Sequence, residues 1–267
     1  YILEEDYAEE YFEDHYNVDS NDVVLYKGDA ETYELGYKLD LGDLPEGETN
    51  VSYYFSELLE FFNSHSNCAS DEDYEALCAI VDPESVRDYF AVEVWVNNKW
   101  DWPGKNWSMW KTLSENDTNV YNDGRWRFCV YDIEFGGVSG AGDATTNTIK
   151  EDNYKKRGLL DMGTDNPAVL CFAYMMTNEG FRQDYYEKLL GLSGAEFEYD
   201  HAIEVLDTFD AIYAPLYDQF FARYEGCGDA DNARYGGYFS VKCLRDFLAK
   251  RYNNIQKMID WSEKILG

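Results

Sequence analysis

Apolar positions recur along this chain in two rhythms, one helical and one alternating, and each predicts its own elements. The opening YILEE reads as a strand. In DYAEEYFEDHY the apolar residues Tyr7, Tyr11, Phe12 and Tyr16 fall at roughly helical spacing. DVVLYKG is a short strand stopped by a glycine, and YELGYKLD alternates as a second, so the two predict a hairpin-like ribbon. NVSYYFSELLEFFNSHS predicts a helix with Asn50 or Ser52 as its cap and Tyr54, Phe55, Leu58, Leu59 and Phe62 on its apolar face. SDEDYEALCAIV follows with Ser70 as cap and acids in the first turn, where the helix dipole favours them. DPESVRDYFAVEVWVNN is a further helix, capped by Asp82 with Pro83 in its first position.

That helix ends at Asn97-Asn98, which leaves WDWPGKN on a loop. NWSMWKTL and RWRFCVYDIEF then read as strands, the second apolar and aromatic up to Tyr131, with Asp132 and Glu134 at its end. Residues 136–148, GGVSGAGDATTNT, are glycine-rich and predict a flexible, solvated loop, with Asp143 and Asn147 as candidates to line a site mouth. From Pro167 to Tyr252 the pattern is helical again. No repeat and no clear boundary occurs, so 1–267 reads as a single domain of α+β class, mainly helical with a few strands.

Composition narrows the function. The chain is 45% hydrophobic and 17% aromatic, enough for a packed core, which argues against disorder. No run of about 18 apolar residues exists, so no membrane span is expected. The 53 acidic residues against 22 basic ones make a formal charge of −31, a surface that repels phosphate backbones. Nucleic acid is therefore excluded as the expected partner, and a basic protein substrate is the better match. Six cysteines include no C-x-x-C, and the three histidines are far apart, so no zinc site is expected. Cys68 with Cys78, and Cys227 with Cys243, flank predicted loops and are candidate disulfides of an exported protein, whereas Cys129 and Cys171 lie in apolar runs and read as buried thiols.

Asp101 and Asn106 form D-x-x-x-x-N. In phosphoryl transfer by kinases this spacing lets a loop aspartate take the proton of the attacking hydroxyl while the asparagine offers an oxygen to magnesium. Asp132, at the end of an apolar strand, is placed to reach the same ion, and at strand spacing Glu134 points the same way. Magnesium prefers oxygen ligands and keeps waters, so a few side chains suffice. The competing reading is a plain turn, which Asp, Pro and Gly in DWPG also explain. The element order, a little β, helices, a loop, two strands, a glycine-rich segment and a helical remainder, is that of the larger lobe of a protein-kinase-like fold.

VRDYFAVEVWVNNKWDWPGKNWSMWK and RWRFCVYDIEFGG resemble the spore-coat protein H (CotH) kinase family, an atypical protein-kinase-like family. YILEE is similar to its Y-x-L-x-E strand, VVLYKG to its L-Y-K strand, and FRQDYYEKLLGL with FEYDHAIEVLDTFDAIYAPLYDQFF to its closing helices. The resemblance implies ATP-dependent phosphorylation of a protein hydroxyl, with magnesium or a similar ion, at the cell or spore surface or outside the cell. It makes Asp101 the catalytic aspartate, Asn106 and Asp132 metal ligands, Glu134 a further ligand where the family often has Asp, and Glu5 the cofactor-side acid of the first strand. The nucleotide-gripping small lobe of the family lies N-terminal to YILEE, so the chain, which begins at Tyr1, is read as a large lobe with most of the small lobe absent. The separation of Asp101 and Asp132 is longer than in ordinary kinases, and TLSENDTNVYNDG accounts for it as an exposed hairpin tip.

Two other functions stand beside this one: a non-catalytic extracellular binding or adhesion module that keeps the fold, and a carbohydrate-binding protein. Trp95, Trp100, Trp102, Trp107 and Trp110 crowd the loop, either packing it down or shaping a groove for substrate or sugar. Asn50, Asn106 and Asn116 each begin a glycan acceptor sequon, and a glycan on Asn106 is incompatible with the proposed site.

Overall fold

The computed structural model describes residues 6–150 and 158–267 apart from Lys99, Asp117, Val138 and Ala141. The expected first strand and Glu5 lie outside the described residues. The described chain is about half helical, with one four-stranded antiparallel sheet of order β2-β1-β3-β4. It divides into two compact units. The first comprises Tyr1–Tyr89, Asp101–Asp132 and Leu160–Arg182; the second comprises Phe90–Trp100, Ile133–Leu159 and Gln183–Gly267.

The first unit is built on the sheet: β1 (Val23–Asp29), β2 (Tyr37–Leu41), β3 (Lys105–Thr112) and β4 (Arg127–Val130). The expected β1–β2 ribbon forms, though Tyr33 to Gly36 are turn rather than strand. Strand β1 is central and buried on both faces, and its period of two sorts the residues between them. Val23 and Leu25 join Phe12, Val18, Trp110 and Cys129 on one side. Tyr26 meets Phe55 at 4.3 Å and Trp126 at 5.7 Å on the other. Phe12 comes from α1 (Glu9–Tyr16), and Phe55 from the 3-10 turn that leads into α2 (Ser56–Ser64).

Two of the expected caps form, while Asn50 and Ser52 do not cap α2, which starts at Ser56 behind the 3-10 turn Tyr53–Phe55 and has no side-chain cap. The Ser70 hydroxyl accepts from the Asp73 N–H at the start of α3 (Asp71–Cys78). Asp82 accepts from Glu84 and Ser85 at the start of α4 (Pro83–Val96). Asp82 also receives Arg127, whose buried guanidinium grips both oxygens of Asp123 at 2.8 and 2.7 Å and Asp82 at 2.9 Å. Asn166 caps α5 (Pro167–Met175), every residue of which is buried. A helix apolar all round belongs in a core.

In the second unit the long α9 (Val241–Leu266) sends Arg251 inward, fully buried. Its guanidinium donates to the carbonyls of Trp95 and Thr146, each at 2.8 Å, to the Val94 carbonyl and to the Thr148 hydroxyl. Val94 and Trp95 are among the last residues of α4, whose carbonyls have no partner within the helix, and a buried cation is well suited to satisfy them. The Thr148 hydroxyl in turn donates to Asn97 Oδ1 at 2.7 Å.

These contacts correct the expectation of a flexible loop over 136–148. Asp143, Ala144 and Thr148 are buried, and Arg251 holds the carbonyl of Thr146. Glycine is used here for close approach. A Cβ on Gly137 would meet the Phe247 ring at 2.9 Å, and both Gly137 and Gly140 have positive φ. Helices α6 (Glu179–Leu192), α7 (Tyr199–Arg223) and α8 (Ala230–Tyr235) complete the described elements. No residue of α7 is buried, and Val205, Phe209, Ile212, Leu216 and Phe220 make an exposed apolar row along it.

The candidate disulfides do not form: all six thiols are free. Cys68 Sγ lies 3.7 Å from the Asp73 carbonyl and Cys243 Sγ lies 2.6 Å from that of Gly237, so these thiols meet main-chain oxygen instead of sulfur. Cys129 and Cys171 are buried, as their apolar runs predicted. No helix is long and apolar enough to cross a membrane among the described residues.

Candidate functional site

The segment after α4 is a turn whose lysine amide closes it, the Lys105 N–H donating to the Asp101 carbonyl at 2.8 Å. Trp102 is fully buried and its Nε1 donates to the Tyr89 hydroxyl at 2.8 Å. Tyr89 in turn stacks on Phe128 of β4 at 4.7 Å. The Pro103 carbonyl accepts from Asn166 Nδ2 at 2.7 Å, and the Trp102–Pro103 peptide is cis. The turn is thus fastened to the first unit from both sides, and Asp101 sits on a rigid support.

Asn106 is in β3, not on the loop where the sequence put it, with φ 58° and its side chain buried. Asn106 Nδ2 and Asp101 Oδ1 are both buried without a hydrogen-bond partner. A buried polar atom left unpaired costs about 1–3 kcal/mol; the Asp101 Oδ1 acceptor is one a cation or a hydroxyl could satisfy, whereas the Asn106 Nδ2 donor calls for an acceptor.

Asp132 follows β4 with φ 53°. Burial raises the Asp101 carboxyl above the ordinary aspartate range, and the Asp132 charge raises it further. Hydrogen bonds from the Asp101 and Trp102 backbone and the Lys105 charge oppose this without cancelling it. Asp101 and Asp132 are therefore in electrostatic reach of each other, and Asn106 is joined to Asp101 through the turn.

Glu134 behaves differently from its sequence expectation. The β3–β4 ladder ends at the Trp107–Val130 pair, Asp132 is left-handed, and the Gly136 N–H closes a turn onto the Ile133 carbonyl. Strand alternation therefore does not extend from Asp132 to Glu134, which belongs to the second unit. The hairpin-tip expectation for TLSENDTNVYNDG agrees with the structure, where Glu115 and Asp123 form an antiparallel bridge between β3 and β4.

The tryptophans divide. Trp95, Trp102, Trp107 and Trp110 are buried and pack their own units, while Trp100 is 44% exposed beside Phe135, Tyr238 and Phe239. The buried four have no face to offer a sugar. Sequence reasoning passed over Lys105, whose charge acts on Asp101 while its Nζ lies 2.5 Å from Glu31. A lysine inside D-x-x-x-x-N was the available signal.

Among the described residues no group of three or more His, Cys, Asp and Glu is arranged to hold a metal. The three residues that the family resemblance singles out, Asp101, Asn106 and Asp132, offer two carboxylates and an amide oxygen. That set fits a hard divalent cation, which takes oxygen ligands and fills its remaining positions with water.

A family model described as CotH kinase protein matches residues 1–255. No curated protein and no solved structure matches the chain.

Proposed function

Because this chain belongs to the CotH kinase protein family, we propose that it is a metal-dependent phosphotransferase that moves the γ-phosphate of ATP to a hydroxyl of a protein. In this reading the chain is the large lobe of a kinase-like fold. The observation that supports it most directly is the unpaired, buried Asp101 Oδ1 beside the charge of Asp132. An acid raised by burial and by a second carboxylate is the more effective proton acceptor, and two carboxylates acting on each other suit a divalent cation.

Asp101 accepts the proton of the attacking hydroxyl, and the fastened Trp102 and Pro103 hold it in position. Asp132 and Asn106 hold magnesium, which when bound supplies charge neutralisation for the phosphates. Glu134 and Glu5 remain proposed from the family resemblance alone, as a further ligand and a cofactor-side acid. Phosphoryl transfer asks mostly for positioning and charge stabilisation, which a rigid turn delivers. The formal charge of −31 favours a basic acceptor. The family association with the spore coat supports a spore or cell surface as the place of work.

The test is transfer of labelled γ-phosphate from Mg-ATP to histone as a basic acceptor, with casein as an acidic one. Asp101→Asn and Asp132→Ala should each abolish transfer while leaving the near-ultraviolet circular dichroism unchanged. Undiminished transfer by Asp132→Ala removes this reading.

A further inference from the structure

A second concave site lies wholly within the second unit, where the α6–α7 connection meets α9. It is an open depression of about 440 Å³, within the range of roughly 300–1,000 Å³ common for small-ligand sites. Its lining residues include the aromatic Phe197, Tyr199 and Tyr252, the aliphatic Leu248 and the acidic Glu198 and Asp200, with no lysine or arginine among them.

The floor is built rather than incidental. Phe197 stacks on buried Trp95 at 4.1 Å, and Trp95 Nε1 donates to the Ser193 hydroxyl at 2.9 Å, so a core residue fixes two wall positions. Leu248 and Tyr252 are four residues apart on α9 and stand one above the other. Glu198 Oε2 accepts the His201 N–H at 2.9 Å as the cap of α7, which fixes its carboxylate and holds it ionised.

The chemistry of these walls selects the ligand. A helix N-terminus alone carries about half a positive charge and would draw an anion. Here two carboxylates outweigh that half charge, and an anion is repelled. An uncharged apolar ligand would leave the Asp200 carboxylate without a counter-charge, Glu198 being already held by the N-terminal N–H groups of α7. Aromatic faces beside carboxylates suit a cation on an aliphatic stem, which packs the stem on the rings and places its charge against both ring face and carboxylate.

We propose that this pocket binds an alkylammonium or alkylguanidinium group, carried either by a lysine or arginine of a basic polypeptide or by a free small amine. The site is separate from the Asp101 turn and does not depend on phosphotransfer. Binding is read without ATP or magnesium, so its failure and the failure of the kinase reading are distinguishable.

Calorimetric titration with a hexa-arginine peptide and, separately, with arginine amide tests it. At about 0.15 M salt, where contacts beyond roughly 8 Å are screened, Tyr252→Ala should weaken binding about fivefold, the scale of one exposed cation–ring contact. Tyr252→Phe should restore it, and Asp200→Asn should weaken it. Asp14→Asn, the same charge change on exposed α1, should leave it unchanged. Binding of both probes assigns the site to the free side chain; binding of the peptide alone assigns it to a polypeptide. Equal binding by wild type and Tyr252→Ala, or equal loss in Asp14→Asn and Asp200→Asn, would mean diffuse attraction to an acidic surface and would overturn the proposal.

Discussion

The carboxylate of Asp132 raises the proton affinity of Asp101, adding to the effect of burial. The pair is two like charges held together by a sheet edge and a fastened turn, and its cost is borne by the fold.

That cost has a sign. An acid whose folded-state affinity is raised binds more protons in the native state than in the unfolded one. Stability therefore falls as pH climbs through the window above the ordinary aspartate value. Asp101→Asn should raise the thermal midpoint at neutral pH, and the gain should shrink to nothing once the pH is below the ordinary aspartate range. Melting curves across pH check this, and a variant that is less stable at neutral pH contradicts it. A functional acid that costs stability is the usual trade at such sites.

Asp123 has the opposite sign. Burial alone would raise it, but the Arg127 guanidinium, with Arg125, outweighs burial and holds it down at about 2. Its contribution is present above the ordinary aspartate value and is lost as pH falls toward the folded value. The carboxylate is 28% exposed, so water screens part of the effect, and about 1 kcal/mol is the expected scale. Urea unfolding of wild type and Asp123→Asn should differ at neutral pH and converge in strong acid. A constant difference would show that the Arg127 pairing is not the source.

Gly28 is occupied by another residue's ring. A Cβ there would meet Trp107 Nε1 at 2.0 Å, and Trp107 is 1% exposed, so the indole cannot swing into water without leaving the core. Gly28→Ala should cost about 1–3 kcal/mol in urea unfolding, the scale of overpacking. In a Trp107→Leu background the same change should cost less, and an unchanged cost would separate the two residues.

The thiols should react in an order set by burial. Cys227 is exposed, Cys78 and Cys243 are intermediate, and Cys68, Cys129 and Cys171 are buried. Burial pushes Cys129 and Cys68 each up to about 12 and Cys171 higher still, so their thiolates are scarce as well as hidden. Mass spectrometry of the native protein after brief alkylation should find Cys227 modified first and those three last. Early loss of Cys129 would contradict the burial of β4.

Local pattern was sufficient for much of this molecule. Ser70 and Asp82 announced two helix starts because a cap is a contact between residues two or three apart. The β1–β2 ribbon and the break after Asn98 were legible for the same reason. Asp101 and Asn106 could be singled out together because one short turn joins them. The structure alone decided the rest: that the Asp132 charge reaches Asp101, that alternation stops before Glu134, and that four tryptophans are spent on packing. Only the fold turned the glycine-rich segment into a surface against which α9 and Arg251 close. Spacing along a chain governs contacts within a turn of helix or a pair of strands. Burial and charge coupling between residues far apart in sequence depend on what else covers them, which is settled only when distant segments meet.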